Sequence, residues 1–260
     1  MSKREIEDCL RDKAWKILTR MEYFKDALHG SLFFLGGSAI AASNPHDIDI
    51  FFSSQEYIGA ASRWVDSKAG IFTEKVLVGQ GTKKVIEGIK KIHNGENAYT
   101  FKCPTSDIPF QFIRIPFSSL EIMIDSFDFS HIQAGVEVVE VMGKFKICQI
   151  YWTDAYEKSL EIGDSWYTGS NNPFSALYRL SKYHAKGEVS ALSLKTQTIR
   201  IINDMFEQEY EGHDQVNKQL SAIGLSDVFG EKNADLYLRS GEIARLVGNL
   251  ATIAWFRLFK

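Results

Sequence analysis

In the segment Phe34-Leu35-Gly36-Gly37-Ser38-Ala39-Ile40-Ala41-Ala42-Ser43-Asn44-Pro45-His46-Asp47-Ile48-Asp49-Ile50-Phe51-Phe52, an apolar run meets two glycines and a serine. After a short loop, two aspartates alternate with isoleucines. Ser31 to Leu35 reads as a buried strand, Ser38 to Ala42 as a brief helical turn, Ser43-Asn44-Pro45 as loop chemistry, and Asp47 to Phe52 as a second strand. Successive strand side chains point to opposite faces. Asp47 and Asp49 therefore share one face, and Ile48, Ile50 and Phe52 the other. Two adjacent carboxylates repel unless something cationic sits between them, and hard oxygen ligands suit Mg²⁺. Upstream, a Gly-Gly-Ser turn lets backbone N–H groups approach a phosphate closely, and the hydroxyl adds a hydrogen bond. A phosphate cradle beside a carboxylate pair is what metal-assisted phosphoryl transfer requires. Each piece alone is commonplace; their compact order is the specific signal. The glycine fingerprints of dinucleotide and P-loop sites are incomplete, which disfavours a dinucleotide-dependent oxidoreductase.

Outward from this segment, Ile6, Leu10, Ala14, Ile17, Leu18 and Met21 recur at helical spacing, predicting an amphipathic helix from Glu5 to about Leu28 that ends at His29-Gly30. Ser53 or Ser54 caps a helix from Gln55 to Ser67. A strand from Ile71 to Val78 and a helix from Lys83 to Ile92 follow. Tyr99 to Cys103 and Phe110 to Ile115 read as paired strands, and Ser118 or Ser119 opens a short helix to Asp125. Val136 to Val141 and Phe145 to Ile150 form a hairpin around Met142-Gly143-Lys144. Beyond Tyr151 the pattern turns helical: Thr153 to Ile162, Phe174 to Lys186, Ser190 to Gln208, Val216 to Ile223 and Ala234 to Leu258. Gly163 to Asn172 reads as a linker-like loop. The expected organisation is a mixed α/β domain over residues 1–150 and an all-helical domain over 151–260.

With 260 residues, 45% of them hydrophobic and 24% charged, the chain has ordinary globular composition. A formal net charge of −3 argues against non-specific coating of nucleic acid but allows a local basic groove. Cys9, Cys103 and Cys148 are widely separated, and no H-x-x-x-H or H-E-x-x-H spacing occurs, so neither a disulfide framework nor zinc is expected. The charged stretch Met1 to Asp8 has no apolar signal core, and Leu32 to Ala42 is too short to span a bilayer. The expectation is a cytoplasmic protein without membrane partners.

The segment resembles the signature of the DNA polymerase β-like nucleotidyltransferase superfamily: a hydrophobic strand, Gly-Gly-Ser, then Asp-x-Asp. That resemblance implies an α/β fold with a mixed sheet flanked by helices, followed by a helical domain. It implies that Gly37 and Ser38, with Gly36 shaping the turn, hold the triphosphate, and that Asp47 and Asp49 bind divalent metal, Mg²⁺ or Mn²⁺. Such proteins usually add a third acid on a later strand. Here the matching strand is Pro109-Phe110-Gln111-Phe112-Ile113, whose middle residue is Gln111. A glutamine oxygen can ligate a metal but supplies no charge and no useful base. Asp107, Glu121, Asp125 and Asp128 are nearby in sequence; Asp128 is the preferred catalytic stand-in.

Asn172-Pro173 opens, and Gly187 closes, a helix that carries Arg179, Lys182 and Lys186 as one basic stripe. It resembles the basic helix after the catalytic domain in poly(A)-polymerase and tRNA-nucleotidyltransferase relatives, which implies that Arg179 and Lys182 face triphosphate or RNA. A solvated basic face is the plainer reading. His46 is more readily an incidental loop residue than a substrate contact. The stripe Ile243, Leu246, Val247, Leu250, Ile253, Ala254 and Phe256 reads as core or subunit interface and not as a membrane anchor, and Trp64, Trp152, Trp166 and Trp255 as core or rim. The resemblance thus implies an NTP-dependent transferase, ATP among the possible substrates, acting on an RNA (tRNA) 3′ end or a protein side chain. The competing expectation is a catalytically weak nucleotide-binding or interaction module that lost its third acid at Gln111.

Overall fold

The computed structural model describes residues 1–41, 45–69, 73–76 and 84–207. Its elements divide into two compact units, Met1–Asp125 with Ile132–Glu157, and Ser126–His131 with Lys158–Lys260. Residue 150 falls inside a strand, and the division comes shortly after it; the return of Ser126–His131 to the second unit is not announced by any sequence pattern.

The first unit opens with α1 (Lys3–Met21), nucleated by a capping box in which Ser2 Oγ accepts from the Glu5 N–H and the Glu5 carboxylate accepts from the Ser2 N–H. Its buried residues are Ile6, Leu10, Ala14, Ile17, Leu18 and Met21, the positions the periodicity picked out. The α-helix stops at Met21 and continues as a 3₁₀ segment to Leu28, earlier than the helical pattern suggests. Phe24 leaves helical geometry there and packs edge-on against Phe110 at 4.8 Å and Phe101 at 5.2 Å. That aromatic burial outweighs continued α-helix.

Strand β1 (Leu32–Gly36), the short helix α2 (Ser38–Ala41), β2 (Ile48–Phe52) and α3 (Gln55–Lys68) follow, with Ser54 capping α3 through the Tyr57 N–H. A separate two-stranded sheet pairs β3 (Thr73–Val76) with β4 (Lys84–Glu87). Then come β5 (Lys90–Asn94), β6 (Ala98–Lys102), β7 (Phe110–Ile113), α4 (Leu120–Asp125), β8 (Ala134–Val141), β9 (Lys144–Trp152) and α5 (Asp154–Ile162). The main sheet has seven strands in the order β5-β6-β7-β2-β1-β8-β9. Among the described residues only β2 and β7 pair in parallel. Phe33, Leu35, Ile48, Ile50, Phe52, Phe110 and Phe112 join the α1 face in one core. At the β8–β9 hairpin, Met142 at φ +52° and Gly143 at φ +75° form a two-residue turn whose hand suits the strand twist.

The helix expected over Lys83–Ile92 is instead two strands. Its apolar spacing fits a helix, but Gly88 at φ +98° breaks the chain, and β5 is exposed throughout and held by its ladder to β6. Pairing, not burial, decides this segment. Of the strand expected over Ile71–Val78, only β3 lies among the described residues.

In the second unit, α6 (Pro173–Ala185) and α7 (Ala191–Glu207) pack together. Asn172 caps α6 by accepting from the Ser175 N–H, and Gly187 at φ +76° ends it, with the Glu188 N–H returning to the Tyr183 carbonyl. The stretch Gly163 to Asn172 is not a slack linker. Its backbone bonds to Ser126–His131 through Trp166 and Thr168, and Asp164 accepts from the Ser190 N–H at 2.8 Å and from the Ser193 hydroxyl at the start of α7. The expected helices at Val216–Ile223 and Ala234–Leu258, the 243–256 stripe and Trp255 lie outside the described residues. Among the described residues no helix is long and apolar enough to cross a membrane.

Candidate functional site

The site begins where β1 ends. Gly37 takes φ +65°, a conformation that favours glycine, and its N–H donates to the Ala134 carbonyl at 3.2 Å. That N–H is therefore spent on β8 and not offered to a ligand. The Ile40 and Ala41 N–H groups turn back to the Gly37 carbonyl and close the first turn of α2. Gly36 and Gly37 are buried and Ser38 is half-buried. Lys13 Nζ donates to the Ala41 carbonyl at 2.8 Å and closes the far end of α2.

The turn needs a third glycine that the motif did not flag. Gly36 pairs with Gly135 in the β1–β8 ladder. A Cβ on Gly135 would come within 2.7 Å of both the Leu35 carbonyl oxygen and Ile124 Cδ1. A glycine opening a strand pattern was the available signal.

Beside the turn, the register aligns a row of polar side chains. Asp49 on β2 is paired with Gln111 on β7, and Gln111 with Thr100 on β6. The Leu35–Ile50 pairing carries Gly36 to the level of Asp49 on the other side. Residues in register share a face, so Asp49, Gln111 and Thr100 lie on the face opposite the Ile48/Ile50/Phe52 core. Asp47 precedes β2 on that same side, and Gln111 Nε2 donates to its Oδ2 at 3.3 Å. Asp47, Asp49 and Gln111 are half-buried, Thr100 is buried, and His46 is exposed. Thr100 carried no signal in the sequence, because its place is set by two successive strand pairings.

The other carboxylates that the sequence singled out have local partners or stand in solvent. Asp107 is exposed, Glu121 accepts from the Gln149 amide, and Asp125 accepts from the Tyr151 hydroxyl at 3.1 Å. Asp128, expected to stand in for the third acid, lies in the second unit with its side chain 4% exposed. Its Oδ2 accepts from Arg179 Nε at 2.8 Å and pairs with Arg179 NH2 at 2.7 Å. Burial raises its pKa, and the Arg179 guanidinium only partly opposes this. Asp128, expected as a catalytic acid, and Arg179, expected to face triphosphate or RNA, are thus each other's partner, because a buried carboxylate and a neighbouring guanidinium satisfy one another. Of the basic stripe, Lys182 is exposed and Lys186 half-buried.

Among the described residues no group of three or more His, Cys, Asp or Glu side chains gathers as a metal-holding cluster. The donor set that does converge is Asp47, Asp49 and the Gln111 amide beside the Ser38 turn. Mg²⁺ is commonly held by one or two carboxylates completed by substrate phosphates, so this set fits one such ion arriving with a nucleotide.

No known protein family matches the chain, and no curated protein does. Among solved structures it is similar to a CCA-adding enzyme in complex with CTP, at 12% identity and a TM-score of 0.41 over 86% of this chain and 55% of that one. It is also similar to a tRNA-processing enzyme in an apo form, at 13% identity and a TM-score of 0.42 over 97% of this chain and 58% of the other. The chain spans just over half the length of each. Both are likenesses of fold alone.

Proposed function

We propose that the chain is a divalent-metal-dependent nucleotidyltransferase that moves an NMP group from an NTP to an acceptor hydroxyl and releases pyrophosphate. One observation carries this reading: the row Asp49–Gln111, with Asp47 hydrogen-bonded into it, lies beside the Gly36-Gly37-Ser38 turn. Asp47 and Asp49 hold Mg²⁺ or Mn²⁺, which when bound neutralises triphosphate charge and polarises the reacting phosphorus. Ser38 donates its hydroxyl to the triphosphate, and the Gly36-Gly37 backbone gives it room. The acceptor oxygen forms a bond to the α-phosphorus as the bond to the bridging oxygen breaks, and the electron pair leaves with pyrophosphate. The hydroxyl proton passes to solvent, since the row offers no third carboxylate to take it. Positioning and charge stabilisation account for most of such catalysis. The acceptor is an RNA 3′ end, tRNA included, supported by the exposed Lys182 on α6; a protein side chain is the other acceptor class.

A second reading, a nucleotide-binding module with little or no transfer, is favoured by the neutral Gln111 alone. Incubation with each α-labelled NTP, Mg²⁺ or Mn²⁺, and total RNA or lysate protein separates the two. Label in the RNA or protein fraction is the expected result. Nucleotide binding without label in either fraction would replace the first reading with the second.

A further inference from the structure

We infer, on the reading proposed above, that this site takes one divalent cation and not two, with the Gln111 amide standing where a second would otherwise be held. Two-metal phosphoryl transfer sites place their cations about 3.5–4 Å apart, which demands carboxylate oxygens that bridge them and a further acid for the second ion. Gln111 occupies the strand position in register with Asp49, so it is the side chain to which that task would fall. Instead, its Nε2 donates to Asp47 Oδ2 at 3.3 Å.

An amide N–H carries partial positive charge, and one Asp47 oxygen is committed to it. Turned either way, the amide is neutral and brings no charge with which to hold a second cation against the first. Asp47, Asp49 and Gln111 together supply two negative charges, which suits one divalent cation and not two. The other Asp47 oxygen and the Asp49 carboxylate then suit a single Mg²⁺ that keeps waters and triphosphate oxygens in its remaining positions. Gln111 is a positioning residue, fixing the Asp47 carboxylate, and the cation comes and goes with the nucleotide.

The experiment counts cations and does not depend on turnover. Mn²⁺ is titrated into the full chain with ATP carrying a methylene between the α- and β-phosphorus, and free Mn²⁺ is read by electron paramagnetic resonance. The wild type is expected to retain one Mn²⁺ per nucleotide-bound chain. Gln111→Glu, which changes charge but hardly shape, is expected to retain two. Gln111→Asp serves as a second acidic variant, with thermal melting to confirm that both are folded. Two cations on the wild type, or one on both folded acidic variants, would overturn the inference and leave the proposed function standing. Failure of all three proteins to bind the nucleotide would overturn the proposed function, and the inference with it.

Discussion

Asp49 on β2 and Asp47 just before it lie on one side of the sheet, while Ile48 and Ile50 are fully buried on the other. Removing either carboxylate therefore costs the core nothing. Asp47→Ala and Asp49→Ala are expected to abolish label transfer while lowering stability by only about 0.5–1.5 kcal/mol, the loss of a hydrogen bond at a half-buried position. Radiolabel incorporation and urea unfolding check the two halves; a folded variant with wild-type turnover would remove the metal assignment. Gly135 should behave in the opposite way. A methyl there meets the Leu35 carbonyl oxygen, which belongs to backbone and cannot swing aside. Gly135→Ala is expected to cost about 1–3 kcal/mol as overpacking and to weaken nucleotide binding by shifting Gly36. Unfolding midpoints and a nucleotide titration read both effects.

Helix α6 carries two cations with different duties. Arg179 is tied to the buried Asp128, so Arg179→Ala strands a carboxylate whose pKa burial already raises. Its expected cost lies toward the lower end of about 3–5 kcal/mol, since the arginine itself is partly exposed. Lys182 is exposed. Lys182→Ala should leave the unfolding midpoint unchanged, weaken RNA retention and flatten its salt dependence, because one fewer phosphate contact releases fewer counterions. If instead Lys182→Ala lowers the midpoint, or RNA retention keeps its salt slope, the stripe is only a solvated face. At the same scale, β4 and β5 show how a ladder overrides periodicity: Ile86, Ile89 and Ile92 are spaced like one side of a helix, yet Gly88 breaks the segment, and pairing with β3 and with β6 makes two strands.

Across the molecule, several carboxylates bolt turns together. Glu140 on β8 is 2% exposed; it accepts from the Gly30 N–H at 2.8 Å and the Gly143 N–H at 2.5 Å, and lies 3.1 Å from His29 Nδ1. Burial pushes its pKa up, but these donors outweigh burial and hold it below the usual range. In the second unit the same balance lowers Asp164, through Ser193 and Ser190, and Glu188, through His131. A carboxylate with a lowered folded pKa stabilises the fold above its unfolded value, near 4, and loses that contribution as pH falls through the folded value. Asp128 is shifted the other way, and its protonation offsets part of the loss in its own unit. Melting temperature is therefore expected to fall steeply below about pH 4. Glu140→Gln should lower it at neutral pH and give a shallower acid limb. Parallel pH profiles for the two proteins would contradict this role for Glu140.

What the sequence by itself determined is whatever repeats within a few residues. The buried stripe of α1, the alternation that separates Asp47 and Asp49 from the isoleucines, the caps at Ser54 and Asn172 and the β8–β9 hairpin are all set by side-chain spacing and turn chemistry. Resemblance to a known signature singled out Gln111, but spacing could not say what it touches. Only the tertiary structure decided that Gln111 stands in register with Asp49 and donates to Asp47, that Asp128 is claimed by Arg179, that Gly135 lies under the glycine turn, and that Lys84 to Asn94 pairs as strands. In each case the partner lies many residues away, and the pairing depends on strand register or on which buried charge finds a counterion. Those are properties of the whole packed chain, in which satisfying one buried group limits what its neighbours can do.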